Sequence, residues 1–521
     1  MSRFLLLSEC GDGLGLAIRL IAEGHQVVLW LRDRQEQGLG KGLVDEAKRY
    51  EKTVIADSVG FGPLMDALRE SEFRTFAGSS FADELEDNRE FAEEIMTSNG
   101  IQVPRSKLVK SVEEARDFIE SLGSDRVFIK PTGNLSGAHP SEEAKDSEDV
   151  DRILGDIARE YKGDSIELEI QEFIPGIALS TEGWFNGHNW IPGMFNHTLE
   201  RKQSLAGDLG PPTGCTGNLV WSCGEDEIVK ATLLRVTDVL REHNYVGPLD
   251  INCIISEGGL YGLEFTPRFG YDAFPTLLYA LCEFDFGDFI ETCSRGDMPS
   301  VSLKDGFAAG VRLMIPKDAQ SSAEIRGLEL EDLGHFYPYS VSMSDLVIQS
   351  VGKGGDLGVL TGFCHTVSGA FSVVYDLVGK LQVKDLQYRS DLADVFYKEF
   401  YALRDLITDS DEGWVGFDLD GTLAEYASWS EDIGKPVPEV IARLKKHLAE
   451  GDEVRILTAR GSYGTEDRWK QLRKIHDWLL EHVGKDLEVT DRKDPKMKFL
   501  YDDRVIRVDE GEIYDEIPIR N

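Results

Sequence analysis

Positive charge and cysteine are the two things this 521-residue chain has in short supply. Its 56 lysines and arginines face 94 aspartates and glutamates, for a formal net charge of -38. Phosphate backbones are held by clustered basic side chains, so general nucleic-acid binding is excluded, and a small anionic ligand needs a local basic patch or a metal ion. The seven cysteines are an odd number with no CxxC pair, which argues against a disulfide framework and against a cysteine-held zinc site. No apolar run approaches the ~18 residues of a membrane span, and FLLL at 4–7 is too short for the core of a signal peptide. A cytoplasmic protein without a membrane partner is the expectation. The length exceeds one compact core and points to roughly three or four domains.

What is present begins with a βαβ pattern: a strand at 3–8, a helix at 14–23 closed by Gly24, and a strand at 26–31. The first turn carries Gly11, Gly13 and Gly15, one place off the dinucleotide fingerprint, so close packing or another phosphate at the helix N-terminus is the better reading. Further on, VFIKPTGNLSGAHPS (127–141) is an apolar strand ending in Lys130, followed by a loop with Gly133 and Gly137 that suits a nucleotide phosphate. The run IELEIQEFIPG (166–176) breaks at Pro175-Gly176 and offers the backbone of Gln171, Glu172, Phe173 and Ile174 to an adenine edge, with Glu172 near its amino group or ribose. GDLGPPTGCTGNLVW (207–221) is a glycine- and proline-rich loop in which Thr213 and Thr216 can meet a small substrate.

Residues 247–270, GPLDINCIISEGGLYGLEFTPRFG, read as a hairpin turning at Glu257 to Gly259. If Ser256 faces Leu260, Asn252 stands opposite Glu264 and Asp250 opposite Thr266, all on one face. Two carboxylates beside Arg268, in a region that also holds a phosphate lysine, suggest Mg²⁺ bridging nucleotide phosphates while Arg268 steadies an oxyanion. Asp250, Glu264 and Thr266 are the metal-ligand candidates.

VFIKPTG, QEFIPG, GPPTGCTG, YVGPLD and GLEFTPRFG, with FCHTVSGAFSVV at 363–374, make residues 1 to about 410 resemble an ATP-grasp ligase of the phosphoribosylamine-glycine ligase (glycinamide ribonucleotide synthetase) family. The resemblance implies ATP and Mg²⁺, with Mn²⁺ as a substitute. It also implies a carboxylate activated as an acyl phosphate and an amine that attacks it, giving an amide, ADP and phosphate; the partners are ATP, an amino acid and a phosphorylated amine. Departures fall at the substrate positions. Thr266 stands where the family has asparagine, and the family's arginine, glutamate and histidine are missing from the first glycine turn. RFGD has become RFGY, and Ala138-His139 replace a second loop lysine.

After TDSDEG (408–413), the clearest linker, GWVGFDLDGTLAEY (413–426) is a strand delivering Asp418 and Asp420 before Gly421-Thr422. An amphipathic helix with Val437, Ile441, Leu444 and Leu448 leads to EVRIL and Thr458-Ala459-Arg460, and FLYDDR supplies Asp502 and Asp503 after Lys493. In an open parallel sheet these groups gather at the strands' carboxyl ends. Asp418 would be the nucleophile and Asp420 the acid and base, with both in the Mg²⁺ shell with Asp502 or Asp503. Thr458 and Lys493 would hold the phosphoryl group, with Lys496 a rival lysine. The set resembles the haloacid dehalogenase-like (HAD) phosphatases.

The expected fold class is therefore α/β and α+β multidomain: a Rossmann-like N-terminal domain (1–104), an ATP-grasp domain (105–300), a small α+β lobe with a connecting helix (301–410) and a HAD-like Rossmannoid domain (413–521). The expected protein is a ligase joined to a phosphatase, whose substrate could extend to a nucleotide or nucleic-acid end. Two alternatives stand beside it: a ligase with another amine or amino-acid acceptor, and a phosphatase carrying a degenerate ATP-grasp binding module.

Overall fold

The computed structural model describes residues 1–9, 11–32, 53–131, 141–160, 166–316, 324–339, 341–344, 347–350, 355–408, 413–462, 467–504, 507–509 and 512–514. Leucine-rich β1 (Arg3–Ser8) is buried along almost its whole length, as a central parallel strand must be. It lies between β2 (Gln26–Leu31) and β3 (Thr53–Ala56), with β4 (Arg74–Phe76) outside β3, in a parallel sheet. Helix α1 (Leu14–Ala22) buries Leu16, Ala17 and Leu20 on one face, as its pattern predicts.

Strands β5 (Ser106–Val109), β6 (Val127–Pro131), β7 (Glu142–Ala144) and β8 (Leu168–Glu172) form a small antiparallel sheet in the order β5-β8-β6-β7. Alternation sends Val127, Ile129, Leu168 and Ile170 to one face, where Ala115, Ile119, Val150 and Leu154 of two helices cover them. Lys130, Glu169 and Gln171 are left on the other face.

An eight-stranded antiparallel sheet forms the body: β9 (Ile177–Asn186), β10 (Phe195–Gln203), β11 (Pro212–Cys223), β12 (Val246–Ser256), β13 (Gly259–Thr266), β14 (Phe307–Met314), β16 (Phe336–Pro338) and β19 (Asp356–Cys364), in the order β13-β12-β9-β10-β11-β14-β19-β16. Between them in sequence, β15 (Glu324–Ile325), β17 (Val341–Ser344) and β18 (Val347–Ser350) make a small separate sheet. The lobe expected after residue 300 thus supplies three strands to the same large sheet, and the expected boundary does not separate two sheets. FSVVYDLV (371–378), rich in residues that favour strands, lies inside helix α2 (Val367–Lys380), whose N-terminus is capped by the Thr366 hydroxyl.

One face of the large sheet is apolar, with Leu179, Leu199, Leu219 and Cys253 in a continuous core. The other is apolar at Trp184, Val220 and Ala308, which pack on Phe274, Leu277 and Phe286, and polar a residue pair further along the same strands. The β12–β13 hairpin turns in two residues, pairing Ser256 with Gly259, one step tighter than expected. A bulge at Leu263 of β13, opposite the step from Asn252 to Cys253 on β12, restores the expected register of Asn252 with Glu264 and Asp250 with Thr266.

The C-terminal part is a parallel sheet of β20 (Trp414–Asp418), β21 (Glu453–Leu457), β22 (Glu488–Thr490) and β23 (Met497–Tyr501), ordered β22-β21-β20-β23. It docks on the rest through buried polar contacts. Glu488 accepts the Val367 and Ser368 backbone N–H groups at 3.0 and 2.9 Å, placing a carboxylate at the N-terminus of α2. Trp469 stacks on Tyr375 of α2 with ring centroids 4.3 Å apart. Helix α3 (Leu392–Thr408) joins in through Asp394, which accepts two bonds from Arg468 at 2.9 Å.

Candidate active site

The polar end of the large sheet and the uncovered face of the β5–β8 sheet meet over one cleft. Lys130 lies 3.6 Å from Glu169, which Arg89 also holds at 2.6 Å. Burial lowers the pKa of Lys130, and Glu169 and Glu264 pull it back up, so a residue from each sheet feels the other. Glu264 is exposed and 3.9 Å from Lys202.

Asp250 is buried beneath them. Its Oδ2 accepts from the Ser180 hydroxyl, and its Oδ1 has no partner. Burial pushes it up to about 6, the Ser180 bond opposes this, and Glu264 adds to it. Directly across from it in β9, Glu182 is driven to about 8 by burial and by Asp250, although its Oε1 accepts from the Trp184 indole at 3.0 Å. Glu200 rises to about 7 by burial and by Asp250. Asn196 Oδ1 and both polar atoms of Asn218 are also buried without partners. Such groups destabilise an apolar core by about 1–3 kcal/mol each, and their clustering on one sheet face marks a floor built to receive a polar ligand. The glycine at 310 keeps that floor open, since a Cβ there would meet Asn218 Oδ1 at 2.8 Å.

Several sequence-predicted residues sit here and several do not. Glu264 lies close enough to act on both Lys130 and Asp250. Thr266, a candidate metal ligand, has its hydroxyl 3.4 Å from the Asn252 amide that donates to it. Arg268 is held by Glu86, its Nε and Nη2 donating at 3.1 and 3.0 Å, and it lies over Tyr271 at 4.1 Å. Gln171 shares the cleft face with Glu169, whereas Glu172 points the other way and is bound by Arg105 at 2.9 Å, because strand alternation separates neighbours. Phe173 is covered by the Arg126 guanidinium at 3.5 Å, and Ile174 is buried. Gly133 and Gly137 lie outside the described residues. In the first glycine turn, Ser8 Oγ accepts from Gly11 and Gly13 at 3.1 and 3.4 Å, and the Asp57 carboxylate stands beside Gly13. That favours the close-packing reading of the turn over phosphate binding there. Glu169, Arg89, Lys202, Glu182 and Glu200 were missed from sequence; β9 and β10 carry one acid each, so no pattern marked the last two.

At the carboxyl ends of β20 and β23, one carboxylate oxygen from each of Asp418, Asp502 and Asp503 lies within 4.8 Å of the others. Asp418 is pushed up to about 7 by burial and by those two neighbours. Gly421, at φ +97°, fits only because it lacks a side chain: a Cβ would lie 2.5 Å from Asp503 Oδ2. Arg460, passed over in the sequence beside Thr458, donates to both oxygens of Asp420 at 2.6 and 2.7 Å, and Asp420 is near enough to Asp418 to add to the rise in its pKa. Thr458 is buried and accepts from the Arg460 backbone at 3.2 Å. Lys493 is exposed and lines a cavity that Asp418, Asp502 and Asp503 do not line, and Lys496 pairs with Asp405 at 2.8 Å.

Two unequal antiparallel sheets thus lie either side of a lysine, beside a parallel βαβ unit. Residues 87–273 match the family model described as phosphoribosylglycinamide synthetase, ATP-grasp (A) domain. The phosphoribosylamine–glycine ligase of Halalkalibacterium halodurans is 25% identical over 344 residues, covering 63% of this chain and 78% of that protein. The solved phosphoribosylamine–glycine ligase of Thermotoga maritima is similar with a TM-score of 0.58 and 22% identity, over 75% of this chain and 99% of that one. The biotin carboxylase domain of Hydrogenobacter thermophilus 2-oxoglutarate carboxylase, solved with MgADP, gives a TM-score of 0.53 at 14% identity, over 77% of this chain and 98% of that one. ATP and Mg²⁺, the cofactors expected from the sequence, are those of ATP-grasp domains. Among the described residues no helix is long and apolar enough to cross a membrane.

Proposed function

We propose that the chain is an ADP-forming carbon–nitrogen ligase of the phosphoribosylamine–glycine ligase type, working in the cytoplasm on an amino acid and a phosphorylated amine. The observation that carries this reading is the convergence of Asp250 and Glu264, from adjacent strands, with Lys130 from the facing sheet. The unpartnered Asp250 Oδ1 fits a divalent cation, and Asp250 and Glu264 would hold Mg²⁺. Bound MgATP supplies the phosphoryl group that activates a carboxylate. Lys130 and Lys202 offset the negative charge that gathers there, and Arg268, fixed by Glu86, is aimed by that pair. The buried carboxyls of Glu182 and Glu200, held partly protonated, can donate hydrogen bonds to the substrate that lies on them. ADP release is the test. With glycine and phosphoribosylamine, the wild-type chain should form ADP and Lys130→Ala should lose at least 100-fold in kcat/KM. ADP formation with another amine but not with this pair would replace the acceptor.

The Asp418, Asp502 and Asp503 group supports a second, Mg²⁺-dependent phosphatase activity of HAD type, with Asp418 as nucleophile and Arg460 holding Asp420. Hydrolysis of p-nitrophenyl phosphate should need Mg²⁺ and fall at least 100-fold in Asp418→Asn; turnover that survives this change would remove the activity from this site.

A further inference from the structure

Between α3 and the loop after β22 lies a cavity of about 470 Å³, within the range of small-molecule sites. One wall is Tyr397 and Tyr401 of α3, and the other is Trp469, Leu472 and Val489 of the C-terminal part. None of Lys130, Asp250, Asp418, Asp502 or Asp503 lines it, so it is distinct from both sites described above.

Its charge runs against that of the molecule. In a chain of net charge -38, seven lysines and arginines line this cavity against four aspartates. Each aspartate is already bound to one of these cations: Asp394 to Arg468 at 2.9 Å, Asp405 to Lys496 at 2.8 Å, Asp491 to Arg492 at 3.4 Å and Asp494 to Arg455 at 3.2 Å. Lys398 and Lys493 have no ion-pair partner among the described residues, and both are exposed at the cavity. The aromatic wall is held by two of the lining arginines: the Arg455 and Arg404 guanidiniums lie 3.9 and 4.6 Å from the Tyr401 ring centroid, and Arg455 donates to the Tyr397 hydroxyl at 2.8 Å.

An anion alone would satisfy the lysines and leave the aromatic and aliphatic wall wet. A neutral planar molecule would cover the wall and leave the lysines unmatched. We infer that the cavity binds a nucleoside monophosphate, with its base against the Tyr397 and Tyr401 wall and its phosphate toward Lys398 and Lys493. Because α3 supplies eight of the lining residues and the C-terminal part thirteen, occupancy ties the two parts of the chain together.

Equilibrium dialysis of the full chain with AMP tests this, using Ala402→Trp to fill the cavity; Ala402 lines it from an exposed position on α3. AMP held in the ATP cleft contributes equally to both proteins and cancels. Wild type should bind one equivalent more than Ala402→Trp, and adenosine and ribose 5-phosphate should each compete for that equivalent at least tenfold more weakly than AMP. The exposed pair Lys398→Glu with Lys493→Glu should weaken it at least tenfold and provides the test independently if the tryptophan variant does not fold. Equal stoichiometry in wild type and a folded Ala402→Trp, or unchanged affinity after the charge reversal, overturns the proposal.

Discussion

Glu182 and Asp250 face each other across adjacent strands with little solvent, so at neutral pH the ligand-free protein carries them at a disadvantage. A carboxyl whose folded pKa is raised contributes stability that is intact below its unfolded value and is lost as pH rises through the folded value. For Glu182 that window runs from 4.5 to about 8. Glu182→Gln keeps the oxygen that accepts from Trp184 and should match wild type near pH 4 in urea unfolding, then exceed it by about 2–4 kcal/mol at pH 8. A constant difference across pH would mean that the carboxyl is not the cause. Asp250→Asn should likewise raise the melting temperature of the metal-free chain while removing the Mg²⁺ dependence of ATP binding; a variant that binds MgATP like wild type would exclude Asp250 as a ligand. At this scale the sequence was informative where chemistry and alternation agree, as for Asp250, Glu264 and Lys130. It gave no sign of the ion pairs made by Glu172 and Asp420, because their partners, Arg105 and Arg460, lie 67 and 40 residues away.

Elements repeat the lesson. The β12–β13 pairing was legible because an acid, an amide and a hydroxyl recur at alternate positions, yet the turn is tighter than expected and the bulge corrects it. The segment 371–378 was illegible because its valines, phenylalanine and tyrosine favour strands, while its helix is fixed by Thr366 and by a carboxylate about 120 residues away. Glu488 should therefore matter to both parts of the chain. Glu488→Ala removes two charge-assisted bonds at the α2 N-terminus and should destabilise the docked C-terminal part by about 2–4 kcal/mol, splitting the calorimetric transition in two. A single transition at the wild-type temperature would show that Trp469, Arg468 and their partners hold the junction without it.

For the whole molecule, the large sheet is the organising body: one face carries the core, the other turns from apolar to polar along the same strands, and the small sheet closes over the polar end. The C-terminal sheet is bound to this assembly by partly buried ion pairs and by capping bonds, so the two sets of acids sit on one scaffold. The central claim is that Asp250 and Glu264 gather a divalent cation against a nucleotide held by Lys130. Calorimetric titration with a non-hydrolysable ATP analogue, with and without Mg²⁺, tests it most directly in wild type and Glu264→Gln. The account predicts at least a tenfold gain in affinity from Mg²⁺ in wild type and its disappearance in the variant; equal affinity with and without the metal, or a gain that survives in Glu264→Gln, would contradict it.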